Sequence, residues 1–235
     1  MLAFLTHVML DAFTTWGTQL FWPFFYRVSF NSIFIIDPFY TIPLLIGVLV
    51  TLGAKRSKWV VIGLVISTLY LGLGVGIKGY VDYQVSQSLD ISEKKINRYF
   101  SKPTPFNCIL WNIVAENERE YLLSYYSVFD TLPVKFSTNT IPKNHDLLIP
   151  YLENRKLQTL LRITKGYYAC EKIDNTIVIY DVRYGKFGDW GDEEGNFIFI
   201  YKLNLKTGEI TQEREQVPDM KAKFRSLGRR VKGIT

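Results

Sequence analysis

His7 and Asp11 stand four residues apart in the apolar opening stretch MLAFLTHVMLDAFTTWGTQLFWPFFY. On a helix that spacing puts both side chains on one face about a turn apart, which suits two ligands of one metal ion or an imidazole oriented by a carboxylate. The plainer alternative is a buried imidazole with all its hydrogen bonds made, beside a carboxylate that caps or pairs locally. An ionisable pair in an apolar segment is costly and by default marks a functional site or an internal path. Asp37 is the third ionisable group of the region, placed directly before Pro38. It reads either as the N-cap of a helix that starts at the proline or as a further ligand or catalytic base facing His7 and Asp11. Together the three would suit a divalent metal that lowers the pKa of a bound water and polarises an ester or phosphoester. Such a site ordinarily takes three or more protein ligands plus an open position for water.

Other reactive residue types point to less. His145 lies in the loop-like PKNHDLL and reads as a surface residue or the neighbour of a helix cap. Asp189, Asp192, Glu193 and Glu194 in GDWGDEEG lack the alternating ligand spacing of a calcium loop and read as a solvated hairpin loop. Cys108 and Cys170 are the only cysteines, have no CxxC spacing, and read as buried apolar groups. No GxSxG, P-loop, GxGxxG or HExxH is present, so serine-hydrolase, nucleotide-binding and zincin chemistry have no support.

The elements that would position these residues follow from an uneven distribution of charge. Residues 1 to 77 hold Arg27, Lys55, Arg56 and Lys58 against Asp11 and Asp37, so 24 of the 28 basic and 20 of the 22 acidic residues fall in the remainder. That division excludes a disordered polyelectrolyte and separates a membrane part from a soluble part. Trp59 to Ile77 is an uncharged run of the length a membrane-crossing helix needs. Phe39 to Ala54, lengthened by Ile33 to Ile36, reads as a second span, with Pro38 in its first turn and Pro43 adding at most a kink. The connection Lys55-Arg56-Ser57-Lys58 is basic, which favours a cytoplasmic turn and puts the following domain on the extracytoplasmic side.

The residues around the candidate ligands resemble a known family. THVMLDAFTTWGTQLFWPF followed by FNSIFIIDPFY is similar to the second half of a bacterial family of inner-membrane proteins described as LexA-binding, metal-dependent hydrolases. His7, Asp11, Gly17, Thr18, Pro23 and Phe24 match its HxxxD and GT…PF pattern, and Asp37, Pro38 and Phe39 match the DPF that begins a transmembrane helix. The resemblance implies an inner-membrane, multi-pass protein with a bound divalent metal, His7 and Asp11 as ligands and Asp37 in the catalytic site. It also implies an upstream half with an H-R-G-x-T-H-S-like motif that this sequence does not contain, so the resemblance is to a shortened form. The later run PTPFNCILWNIVAENEREYLLSYYSVFD, with IVIYDVRYG, resembles a C-terminal soluble extension of some members.

Beyond Ile77 the polar run VDYQVSQSLDISEKKINRYF continues or follows the last span, and Pro103-Thr104-Pro105 breaks it. Strands are expected over Phe106 to Val114 and Glu120 to Val128, over Tyr167 to Ile173 and Thr176 to Val182 across Asp174-Asn175, and over Phe197 to Leu203 and Glu209 to Glu213. Asp146 to Thr164 has the apolar spacing of one amphipathic helix. The fold class is therefore α+β: N-terminal transmembrane helices, then a soluble antiparallel β-rich domain with a few helices. The divisions expected are a membrane domain over 1–78, a helical connector over 79–102, a soluble domain over 103–220 and a basic tail over 221–235. That tail, with Lys221, Lys223, Arg225, Arg229, Arg230 and Lys232, reads as a solvated terminus or as an arm for anionic lipid or nucleic acid. The partners expected are the lipid bilayer and a lipid-like substrate, with nucleic acid not favoured by a net charge of only +6. Two functions compete: a metal-dependent hydrolase acting near the membrane, and a non-catalytic anchor that presents a β-rich domain for binding.

Overall fold

The computed structural model describes residues 2–21, 23–24, 26–91, 95–136, 140–188, 190, 195–213 and 219–233. The chain divides into two compact units, the first made of Met1–Gln87, Ser101–Trp111 and Tyr126–Phe129, the second of Ser88–Phe100, Asn112–Tyr125 and Asp130–Thr235.

The first unit opens with helix α1 (Leu2–Asp11), followed by an irregular excursion that doubles back on itself. Thr18 and Val28 exchange backbone hydrogen bonds at 2.9 Å each, and the amides of Phe30 and Ser32 donate to the carbonyls of Ala12 and Phe13. Helix α2 (Pro38–Ala54) and helix α3 (Lys58–Ile91) then form an antiparallel hairpin turned by Lys55, Arg56 and Ser57. Helix α2 begins at Pro38 because Asp37 caps it and the proline, with no amide hydrogen to satisfy, takes the first helical position. Ile33 to Ile36 therefore lie outside the helix. Its 17 residues make it about 26 Å long, a little less than the hydrocarbon core. Among the described residues one helix, α3, is long and apolar enough to cross a membrane. Its 34 residues reach about 51 Å, well past the apolar stretch. Beyond that stretch Val81 and Val85 are fully buried, and Lys78 pairs with Asp82.

The outward faces of the hairpin are apolar and uncovered. Leu45, Leu49 and Leu52 on α2, and Val61, Val65 and Leu69 on α3, are each more than half exposed. The seam between the helices is built of small and polar groups instead. A Cβ at Gly47 would stand 2.6 Å from the Trp59 carbonyl oxygen, and one at Gly63 would stand 2.5 Å from that of Pro43. The Thr51 hydroxyl accepts from the Val60 amide at 3.0 Å, and the Ser67 hydroxyl donates to the Tyr40 carbonyl at 2.7 Å. Close backbone approach and hydrogen bonds therefore hold the two helices together along this seam.

The rest is antiparallel sheet with helices. Strands β1 (Arg98–Pro103), β2 (Leu110–Glu116), β3 (Glu120–Ser127) and β4 (Ile141–Pro142) form one sheet in sequence order. A 3-10 turn (His145–Tyr151) and helix α4 (Arg155–Ile163) follow. The single helix expected from 146 to 164 is thus two pieces. Pro150 has no amide to donate, and the Asn154 side chain accepts from the amides of Lys156 and Leu157, which starts a new helix.

Strands β5 (Tyr168–Ile173) and β6 (Thr176–Asp181) make the expected hairpin, with Asp174 at φ +49° in its two-residue turn. A short 3-10 turn (Val182–Tyr184) leads to β7 (Lys186–Phe187) and its partner β8 (Asn196–Phe197). Then β9 (Ile200–Asn204) and β10 (Ile210–Glu213) complete a second four-stranded sheet in the order β10-β9-β6-β5. Leu148, Leu157, Leu160, Cys170, Ile177, Ile179 and Leu203 form its core. The final element is helix α5 (Met220–Val231), so most of the basic stretch from 221 is ordered helix and not a frayed terminus. The acidic run Asp189, Asp192, Glu193 and Glu194 lies outside the described residues.

Candidate functional site

Helix α1 does what the i,i+4 spacing predicts. His7 Nε2 and Asp11 Oδ2 lie 3.6 Å apart, with the two side chains 72% and 39% exposed. The helix ends at Asp11, whose carbonyl accepts from both the amide and the hydroxyl of Thr14. Gly17 lies at φ +65°, and a Cβ there would stand 2.4 Å from the Val28 carbonyl oxygen. The Gly-Thr pair of the motif is therefore a turn element. Gly17 permits the close approach of the returning strand, and Thr18 supplies both backbone bonds of the bridge.

Asp37 is placed very differently. It is 2% exposed. Its Oδ1 accepts from the Phe39 amide at 3.0 Å and its Oδ2 accepts from the Tyr70 hydroxyl at 2.8 Å. Asp37 therefore caps α2, one of its two readings from sequence, with one carboxylate oxygen holding the first turn of α2 and the other joining that helix to α3. Among the described residues no group of three or more His, Cys, Asp or Glu converges as a metal cage would require. His7 and Asp11 remain as a two-ligand pair, which does not by itself fit a hydrolytic metal centre.

Tyr70, Ser67 and Gly63 carry no motif of their own, and their signal in the sequence is one of spacing. Gly63, Ser67, Tyr70 and Gly74 follow each other at intervals of four, three and four, a stripe of small and polar groups along one side of α3. A Cβ at Gly74 would stand 2.9 Å from the Ser32 carbonyl oxygen, so the stripe continues the seam past Asp37.

The remaining histidine sits in the second unit. The His145 ring stacks on Tyr168 with centroids 3.9 Å apart, and its Nε2 donates to the Tyr168 carbonyl at 2.7 Å. Burial holds its pKa below the usual imidazole value, partly opposed by that hydrogen bond. Nearby, Glu116 pairs with both Arg98 and Lys143. The adjoining open cleft, about 400 Å³, is lined by Arg119 and Lys143 as well as Glu118 and Asp146, so it offers no charge of one sign. Cys108 and Cys170 are both free and buried, as read from their isolation in the sequence. Burial together with the Asp146 charge pushes the Cys170 thiol up to about 12, which removes it as a nucleophile at neutral pH.

An apolar-faced helical hairpin joined to a polar α+β domain defines a membrane-associated class of protein. Residues 1–81 match the YdjM inner membrane protein family. That match covers α1, the turn at Gly17, the whole seam of the hairpin and the first part of the α3 extension. It supports a bacterial inner-membrane location and carries no statement about hydrolysis or repressor binding. No curated protein and no solved structure matches the chain.

Proposed function

We propose that this is a multi-pass inner-membrane anchor in which α2 and α3 lie together in the bilayer and the antiparallel β-rich domain serves as a binding module. The observation that carries the reading is the commitment of Asp37. With Oδ1 on the Phe39 amide and Oδ2 on the Tyr70 hydroxyl, its carboxylate joins the helices, which supports a structural role over that of ligand or base. The apolar outward faces of both helices support placing the pair in lipid, where α2 spans by slight local thinning of the bilayer. The basic turn at Lys55, Arg56 and Lys58 favours a cytoplasmic turn and an extracytoplasmic domain.

The second reading, a metal-dependent hydrolase acting on an ester or phosphoester near the membrane, rests on the His7–Asp11 pair alone. Elemental analysis of the detergent-purified chain beside His7→Ala and Asp11→Ala separates the two. The anchor reading expects no stoichiometric metal in any sample. Zinc, manganese or iron bound at one per chain and lost in both variants would overturn it in favour of the hydrolase.

A further inference from the structure

Helix α5 turns the basic C-terminal stretch into a two-sided element. On one side Ser226, Leu227 and Arg230 are buried. The Arg230 guanidinium donates to both Asp130 carboxylate oxygens at 2.6 Å and to the Tyr125 carbonyl at 2.7 Å, which fixes the roll of the helix. On the other side Lys221, Arg225, Arg229 and Lys232 are all exposed. At the helical rotation per residue these four fall within an arc of about 80°. The helix contains no acidic residue, and among the described residues none of the four cations takes part in an ion pair. Phe224, 41% exposed, lies about 60° round the helix from Lys221, with its ring edge-on to that of Phe187.

We propose that this face of α5 binds the headgroups of anionic phospholipids at the bilayer surface. Four unopposed cations in one line supply the charge complementarity. The half-exposed Phe224 on the near side of the stripe suits the boundary between headgroup and acyl chain, a feature that a nucleic-acid backbone would not use. A chain anchored in the membrane also keeps that surface at an effective concentration that no soluble polyanion reaches. This last point rests on the anchor reading above.

The test uses the full chain in nanodiscs of phosphatidylcholine alone or of equal parts phosphatidylcholine and phosphatidylglycerol. Gly228 lies beside the stripe and a Cβ there meets nothing within 4 Å, so Gly228→Cys accepts an environment-sensitive fluorophore. Docking predicts a blue shift of its emission in the anionic discs relative to the neutral ones. The shift disappears in 0.5 M salt, where the Debye length falls to a few ångström, about 4 Å. It also disappears when Lys221, Arg225, Arg229 and Lys232 are all replaced by Gln, a variant checked for unchanged circular dichroism. The same emission in both discs, a shift that survives the fourfold replacement, or a response only to duplex oligonucleotide added to neutral discs would each overturn it. Co-elution of chain and disc reports anchorage separately. A chain that enters the discs without a shift loses only the headgroup contact, whereas a chain that fails to enter them loses the anchor reading and this proposal with it.

Discussion

The hydroxyl of Tyr70 donates to Asp37 Oδ2 at 2.8 Å, joining the start of α2 to the middle of α3 across 33 positions of sequence. A carboxylate at 2% exposure needs a donor for each oxygen, and here one comes from its own helix and the other from the neighbouring one. The aspartate that the motif offers as a catalytic group is thereby a joint between two helices. Tyr70→Phe removes the phenol donor while keeping the ring, and leaves a buried carboxylate oxygen unpaired. The expected cost is about 1–3 kcal/mol, seen as a lower thermal midpoint in detergent. An unchanged midpoint would show that the joint contributes nothing.

The glycines of α2 and α3 divide into two groups that mutagenesis should separate. Gly63→Ala puts a methyl group 2.5 Å from the Pro43 carbonyl oxygen, so the helices must part. Gly53→Ala and Gly72→Ala place theirs in open space. The first should weaken a cysteine cross-link engineered across the seam. The other two should leave it intact and gain up to about 1 kcal/mol of helix propensity. Equal behaviour of all three would refute the close approach.

Arg230 and Asp130 form a pair only 9% and 12% exposed. Arg230→Ala strands the carboxylate in a buried setting and should cost about 3–5 kcal/mol. Because the same guanidinium holds the Tyr125 carbonyl, α5 should become the first site of proteolytic cleavage. Cleavage kinetics identical to those of the parent chain would mean that α5 is held by something else.

His145 gives a pH dependence with a definite sign. Burial lowers its pKa in the folded chain, so in the window below about 6.5, the ordinary imidazole value, the unfolded chain binds the extra proton first. Its contribution to stability is therefore complete above that value and is lost as pH falls through the folded pKa. With only two histidines in the chain, a His7→Ala background isolates the His145 ring for titration by nuclear magnetic resonance. A midpoint at or above the ordinary value would contradict the stacked, Tyr168-bonded environment.

What could be read from the sequence depended on how far each residue's partner lies along the chain. The β5–β6 hairpin is legible in the sequence because its strands and its Asp174-Asn175 turn are contiguous. The region from 145 to 163 looks like one helix by apolar spacing, which does not register that Pro150 withholds a donor and that Asn154 can start a helix. Asp37 was legible as one of two alternatives. Nothing local could choose between them, because the deciding hydroxyl of Tyr70 belongs to another helix. Helix α5 was hidden for the same reason, since the residue that fixes its buried side, Asp130, lies 100 positions upstream.

The small-residue seam of the hairpin also sets how this protein should respond to cold. Burial of apolar side chains weakens on cooling, and the core around Leu148, Ile179 and Leu203 is held in that way. The contacts of Gly47 with Trp59, of Ser67 with Tyr40 and of Tyr70 with Asp37 owe little to water release, so they carry no comparable heat-capacity signature. The two parts of the chain therefore follow stability curves of different curvature. Near freezing the sheet domain should loosen while the helix pair stays closed, and a single melting temperature will not describe the whole molecule.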